Sequence, residues 1–148
     1  MTSAAYHAHP ALALAAEVTL PVLGVCAVVT PAIRQHAGRL KNPGPFWICA
    51  AISIALVYIV RHFCHPAGHW IGKGMNYSTH TAIAVAFGVM ISLCRPVLLP
   101  AVTVVVAAYL WAITCLGYHT AGDAISTMAI MLPASLLCHL PWLLAKKR

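Results

Sequence analysis

His119 and Asp123 stand four residues apart in the stretch GYHTAGDAI, Gly117 to Ile125. On a helix that spacing stacks the two side chains on one face. A carboxylate so placed accepts from one imidazole nitrogen, fixes the tautomer and leaves the other nitrogen as nucleophile or base. Earlier in the chain, MNYSTHTA (Met75 to Ala82) brings a second imidazole, His80, together with Tyr77, Ser78, Thr79 and Thr81. Two histidines in unlike surroundings hold unlike protonation states, one attacking while neutral, the other giving a proton to a departing oxygen. The hydroxyls surround the start of an apolar run whose first-turn N–H groups and dipole favour an anion, with Arg61 and Lys73 positioned to close on it. The ligand this inventory suggests is a phosphate.

Asp123 and Glu17 are the only acidic residues in the chain. A carboxylate in so apolar a sequence is costly and calls for a partner. Glu17, about two turns into the first apolar run, either lines a cavity and partners Arg61 or a histidine or reaches back to the outer interface, and Tyr118, next to His119, is a second candidate for the cavity. His62, His65 and His69 in RHFCHPAGH have a spacing suggestive of a metal site. Pro66 and Gly68 break any continuous helix between them, however, so they read as interfacial or substrate-contacting residues and no metal is expected.

The elements that must position these groups are transmembrane. Of 148 residues, 61% are hydrophobic and 7% charged, and the mean hydropathy is +0.86, well outside the range of soluble globular domains. A bilayer core takes roughly 20 apolar residues per helix, so the length accommodates about five spans in one membrane domain covering 1–148. The runs lie near 11–33, 45–64, 78–94, 98–117 and 121–144, the third and fourth divided by Arg95-Pro96 and Pro100. The expected fold is an all-α integral membrane bundle, with the first run retained as a helix because no basic region precedes it. The six Cys lie singly, without a CxxC pair, and read as buried hydrophobes. Ala84, Gly88 and Ser92 form a small-residue stripe for close helix approach, which also permits a homodimer. Trp47, Trp70, Trp111 and Trp142 read as interfacial or packing residues.

Placing the N-terminus outside puts Arg34, Arg39, Lys41, Arg95, Lys146, Lys147 and Arg148, seven of the nine Lys and Arg, on the cytoplasmic side of a cell membrane. The formal charge of +7 then reflects topology and anionic-lipid attraction, and no nucleic-acid partner is expected. The outer face receives both polar motifs, Arg61 and Lys73.

These motifs resemble those of the type 2 phosphatidic acid phosphatase superfamily, which includes lipid phosphatases and sphingomyelin synthase-like head-group transferases. Tyr77-Ser78-Thr79-His80-Thr81 is similar to the family's PSGHT motif, and His119 to Asp123 to its terminal His-x-x-x-Asp, over about residues 58–135. The resemblance implies a phosphohistidine formed on His119, with Asp123 orienting it and His80 protonating the departing alkoxide. It implies no cofactor. The sequence departs from the family in lacking a KxxxxxxRP motif, in having Thr79 for the motif's Gly, and in having Ile113 where an Arg is expected; Arg61 takes part of the missing role. The resemblance implies a lipid phosphatase acting on a phospholipid phosphate or a polyprenyl (pyro)phosphate. A head-group phosphotransferase is the alternative, since fewer cations suit a diester monoanion. A haem-binding or assembly subunit is the non-enzymatic alternative.

Overall fold

A computed structural model describes residues 10–64 and 75–146 of the chain. Among these residues the structure is helical without strands: α1 (Pro10–His36), α2 (Pro43–Cys64), α3 (Thr79–Cys94), a 3-10 turn (Pro96–Leu98), α4 (Leu99–Cys115), α5 (Ala121–Cys138) and α6 (Leu140–Lys146). The chain is an all-α membrane bundle. Four segments, Pro10–His36, Pro43–Cys64, Pro96–Cys115 and Ala121–Cys138, are long and apolar enough to cross a bilayer. Their outward faces carry large exposed apolar side chains such as Leu14, Val25, Phe63, Val104 and Leu137, which suits contact with lipid and not with water.

α3 departs from the expected pattern. At 16 residues it extends roughly 24 Å, short of a bilayer core of about 30 Å. It nevertheless forms the centre of the bundle, packing against α1, α2, α4 and α5 and burying most of its length. The small residues explain how four neighbours fit. A Cβ added at Gly88 would lie 3.2 Å from Val102 Cγ1 of α4, and one at Gly24 of α1 would lie 3.1 Å from Phe87 Cε2 of α3. Close backbone approach of this kind replaces the hydrophobic drive that is missing between helices in lipid.

The last expected span, 121–144, divides at His139 into α5 and the short α6. α6 is held at the basic end of the bundle: the Trp142 indole N–H donates to the Lys41 carbonyl at 2.9 Å, and the Asn42 amide donates to the Ala145 carbonyl at 3.3 Å. Phe46 packs edge-on against both Trp47 and Trp142. Trp142 is therefore a core residue, whereas Trp111 is exposed. None of the six cysteines is in a disulfide, and only Cys49 and Cys94 are buried; Cys26 and Cys115 are exposed on the helix surface, correcting the uniform burial expected of them.

Candidate active site

The opposite end of the bundle gathers the C-terminus of α2, the N-termini of α3 and α5, and the turn after α4. Three local devices build it. The first ends α4. Gly117 adopts φ +72, its N–H donates to the Thr114 carbonyl, and the Tyr118 N–H donates to the Ile113 carbonyl, both at 3.0 Å. This Schellman arrangement needs a residue at ease in the left-handed region, and it delivers Tyr118 and His119 directly beyond the helix.

The second device starts α5. Thr120 is the N-cap, its hydroxyl accepting from the Asp123 N–H at 3.1 Å while Asp123 Oδ2 accepts from the Thr120 N–H at 3.0 Å. His119 thus precedes the helix and does not stack on it as the four-residue spacing suggests. Its Nδ1 lies 3.8 Å from Asp123 Oδ2, at ion-pair distance and beyond hydrogen-bond length. Asp123, 3% exposed, has a second task, since Oδ1 accepts the Asn76 N–H at 2.6 Å. One carboxylate therefore ties the loop before α3 to the start of α5 and faces the His119 ring.

The third device starts α3. Ser78, fully buried, caps the helix by accepting from the Thr81 N–H at 3.3 Å and the Thr81 hydroxyl at 2.9 Å. Its own N–H donates to the Thr127 hydroxyl on α5 at 3.0 Å. The Tyr77 hydroxyl donates to the Val57 carbonyl of α2 at 3.1 Å. Ser78, Thr81 and Tyr77 therefore commit their hydroxyls to holding the loop, which narrows the expected phosphate contacts to half-buried Thr79 and the first-turn amides.

With these ties in place, His80 and His119 face each other with ring centroids 5.9 Å apart and planes inclined by 57°. The Tyr118 ring lies 6.0 Å from His80. Burial and, after it, the exposed Arg61 guanidinium at the end of α2 push the His80 imidazole below the ordinary histidine value, the same direction as His119. Burial pushes the His119 imidazole below the ordinary histidine value; His80 repels in the same direction and Asp123 pulls the other way. That direction favours the neutral imidazole, the state a nucleophile or base requires. Beside His80 a cavity of about 260 Å³ is lined by Glu17, Tyr109 and Tyr118 among others, so Glu17 and Tyr118 stand where the sequence suggests.

His62 is exposed, packing its ring against Phe63. Lys73, His65, His69 and Trp70 lie outside the described residues. Among the described residues no group of three His, Cys, Asp or Glu could hold a metal ion. Thr120, Asn76 and Thr127 are site-building residues that the sequence analysis missed. Thr120-x-x-Asp123 is a legible helix-start signature of the capping-box kind; nothing in the sequence singles out Asn76 or Thr127.

No family model, no curated protein and no solved structure matches the chain.

Proposed function

We propose that the chain is a membrane lipid phosphatase working through a phosphohistidine, with its site at the extracytoplasmic face of a cell membrane. The supporting observation is the His80–His119 pair: two imidazoles from different elements, 5.9 Å apart, one backed by the Asp123 carboxylate. A phosphate seated between the rings, against the first turn of α3 and beside Arg61, is attacked at phosphorus by the His119 nitrogen facing away from Asp123. The bond from phosphorus to the lipid oxygen breaks, and His80 donates its proton to that oxygen. Water then attacks the phosphohistidine, His80 takes the water's proton, and inorganic phosphate and the free His119 nitrogen result. Asp123 favours the imidazolium character that develops on His119 during attack. The basic residues Arg34, Arg39 and Lys41 at the other end of the bundle support a cytoplasmic location for that end.

One observation favours head-group transfer as a second reading. Arg61 is the one Lys or Arg among the described residues at the polar end. If Lys73, outside the described residues, takes no part, this single cation matches a phosphodiester monoanion better than a monoester dianion, and an alcohol would then replace water in the second step.

The test is incubation of the purified protein with a membrane lipid extract, followed by mass spectrometry of the lipids and measurement of released phosphate. Dephosphorylated lipids with free phosphate are expected, both lost in His119→Ala and His80→Ala proteins that retain their helical circular dichroism. New phosphodiesters without free phosphate would select the transferase. An unchanged lipid profile would overturn both readings.

A further inference from the structure

The cavity beside His80 is lined by Ala16, Glu17 and Leu20 of α1, by Tyr109 of α4, by Tyr118 and by His80 of α3. Tyr109 is 3% exposed, yet its hydroxyl makes no hydrogen bond among the described residues. Nor is that hydroxyl sealed into protein as His139 Nε2 is. The little surface that Tyr109 keeps therefore opens on the cavity it lines. A buried phenol ordinarily finds a partner, because one without it has given up its bonds to water for nothing. The Tyr118 hydroxyl, on the same cavity, likewise makes no hydrogen bond among the described residues. Glu17 is different: it is exposed and already has an interaction within the chain.

Two phenols offer donors, and the charge around them restricts what can accept. No Lys or Arg lines the cavity among the described residues, and Glu17 is a carboxylate. A phosphate is therefore better placed outside it, by Arg61 and the first turn of α3, and the acceptor suited to the interior is a neutral oxygen. Lipid phosphates differ on this point. Acylated ones carry a carbonyl oxygen a few bonds from the phosphate, on the hydrocarbon side, whereas polyprenyl phosphates carry none. Tyr109 lies six residues before the end of α4, about 9 Å along the axis from the polar end and toward the hydrocarbon. Pockets that enclose a drug-sized ligand run about 300–1,000 Å³. At about 260 Å³ this one takes an acyl linkage and not a pair of acyl chains.

We propose that this cavity is a carbonyl-recognition subsite, in which the Tyr109 hydroxyl donates a hydrogen bond to an acyl carbonyl of the lipid whose phosphate lies between His80 and His119. The inference rests on the phosphatase reading and narrows its substrate to acylated lipid phosphates. His80 serves both compartments, since it lines the cavity and its ring faces His119. The acyl linkage therefore enters the cavity while the phosphate stays outside it. Tyr109 is a specificity residue and takes no part in bond breaking.

The experiment compares a 1,2-diacylglycerol 3-phosphate, the dialkyl ether analogue that has CH2 in place of each carbonyl, an N-acylsphingosine 1-phosphate and its N-alkyl analogue on wild-type, Tyr109→Phe and His119→Ala protein. Phosphate release, equilibrium binding of the radiolabelled lipids in detergent and the thermal midpoint are read. The wild type is expected to prefer an acyl lipid over its alkyl analogue by about threefold to tenfold in kcat/KM, the scale of one hydrogen bond. Tyr109→Phe removes the hydroxyl and keeps the ring, so it is expected to bring that ratio to about one by lowering the acyl lipid, with an unchanged thermal midpoint because no bond within the protein is lost. His119→Ala is expected to retain the binding preference without turnover. A preference shown by the ester lipid alone, or by the amide lipid alone, supports the subsite and identifies the linkage it fits. Equal handling of acyl and alkyl lipids by the wild type, an equal loss for both in Tyr109→Phe, or a lowered thermal midpoint in that variant would overturn the subsite while leaving the phosphatase standing. A Tyr109-dependent binding preference without turnover of any compound would retain the subsite and sink the phosphatase.

Discussion

His119 and His139 occupy opposite ends of the same bundle and show how surroundings assign a histidine its work. His139, fully buried between α5 and α6, has Nδ1 2.9 Å from the Ser135 carbonyl and its ring 5.7 Å from Phe46. Its Nε2 is buried without a hydrogen-bond partner among the described residues. It packs at the break between α5 and α6. His119 is 18% exposed on its side chain, is opposed by a second imidazole and is backed by a carboxylate. Burial lowers both imidazoles, yet of the two His119 alone is partly exposed and faces a second imidazole. A depressed histidine is thus evidence of burial first and of reactivity only where a second group and a space accompany it.

The sharpest way to break this contrast is to exchange the losses. His119→Ala is expected to reduce phosphate release at least about 10³-fold, as removal of a nucleophile does, with a normal thermal midpoint. His139→Phe is expected to retain activity; comparable activity in both variants would erase the distinction. His139→Ala leaves a cavity among Phe46, Trp142 and Ser135 and is expected to cost about 2–4 kcal/mol in denaturant unfolding. His139→Phe keeps the volume and should cost under about 1.5 kcal/mol. Gly117→Ala forces a side chain into the left-handed region and should cost about 1 kcal/mol, with a larger loss of activity than of stability because His119 is displaced with the turn.

The smallest effects are those of pH. Each imidazole is lowered on folding, so protonation disfavours the native state: the stability linked to them is complete above the ordinary histidine value and falls as pH drops through the range below it. His139→Phe should flatten that decline in melts recorded between pH 7 and pH 5. Activity should fall on the same acid side as His119 becomes protonated. Asp123 pulls the His119 value upward, so Asp123→Asn should move the acid limb of kcat/KM to lower pH, in addition to reducing its height. A limb moving the other way would mean that Asp123 is not felt by His119.

The two ends also differ in how much of them the sequence discloses. Apolar runs bounded by Pro, Gly and charge located α1, α2, α3 and α4 to within about three residues and fixed the start of α5 but not its end, because the bilayer imposes length and composition directly. The break at His139 was invisible, since a histidine within an apolar run looks like any other polar interruption until Ser135 and Phe46 are seen around it. At the polar end, residue type and order were enough to bring His80, His119, Asp123, Tyr118 and Glu17 to one region. What they could not supply was the division of labour among the hydroxyls. The hydroxyls of Ser78, Thr81 and Tyr77 are engaged within the chain before any ligand arrives, and the loop they hold is tied to Thr127 and Val57, which are far away in sequence. Asp123 likewise reads as a partner of His119 by spacing, but its shortest contacts are to main-chain amides.

The brevity of α3 sets a depth as well as a length. With Arg95, exposed just past its C-terminus, set at the headgroups of one leaflet, a rod about 6 Å too short for the hydrocarbon would leave its other tip sunk by about one helical turn beneath the far surface. His80 rides on that tip. A water-borne phosphate ester would have to descend to reach it, whereas a lipid moving sideways within its own leaflet arrives with its linkage already at the right level.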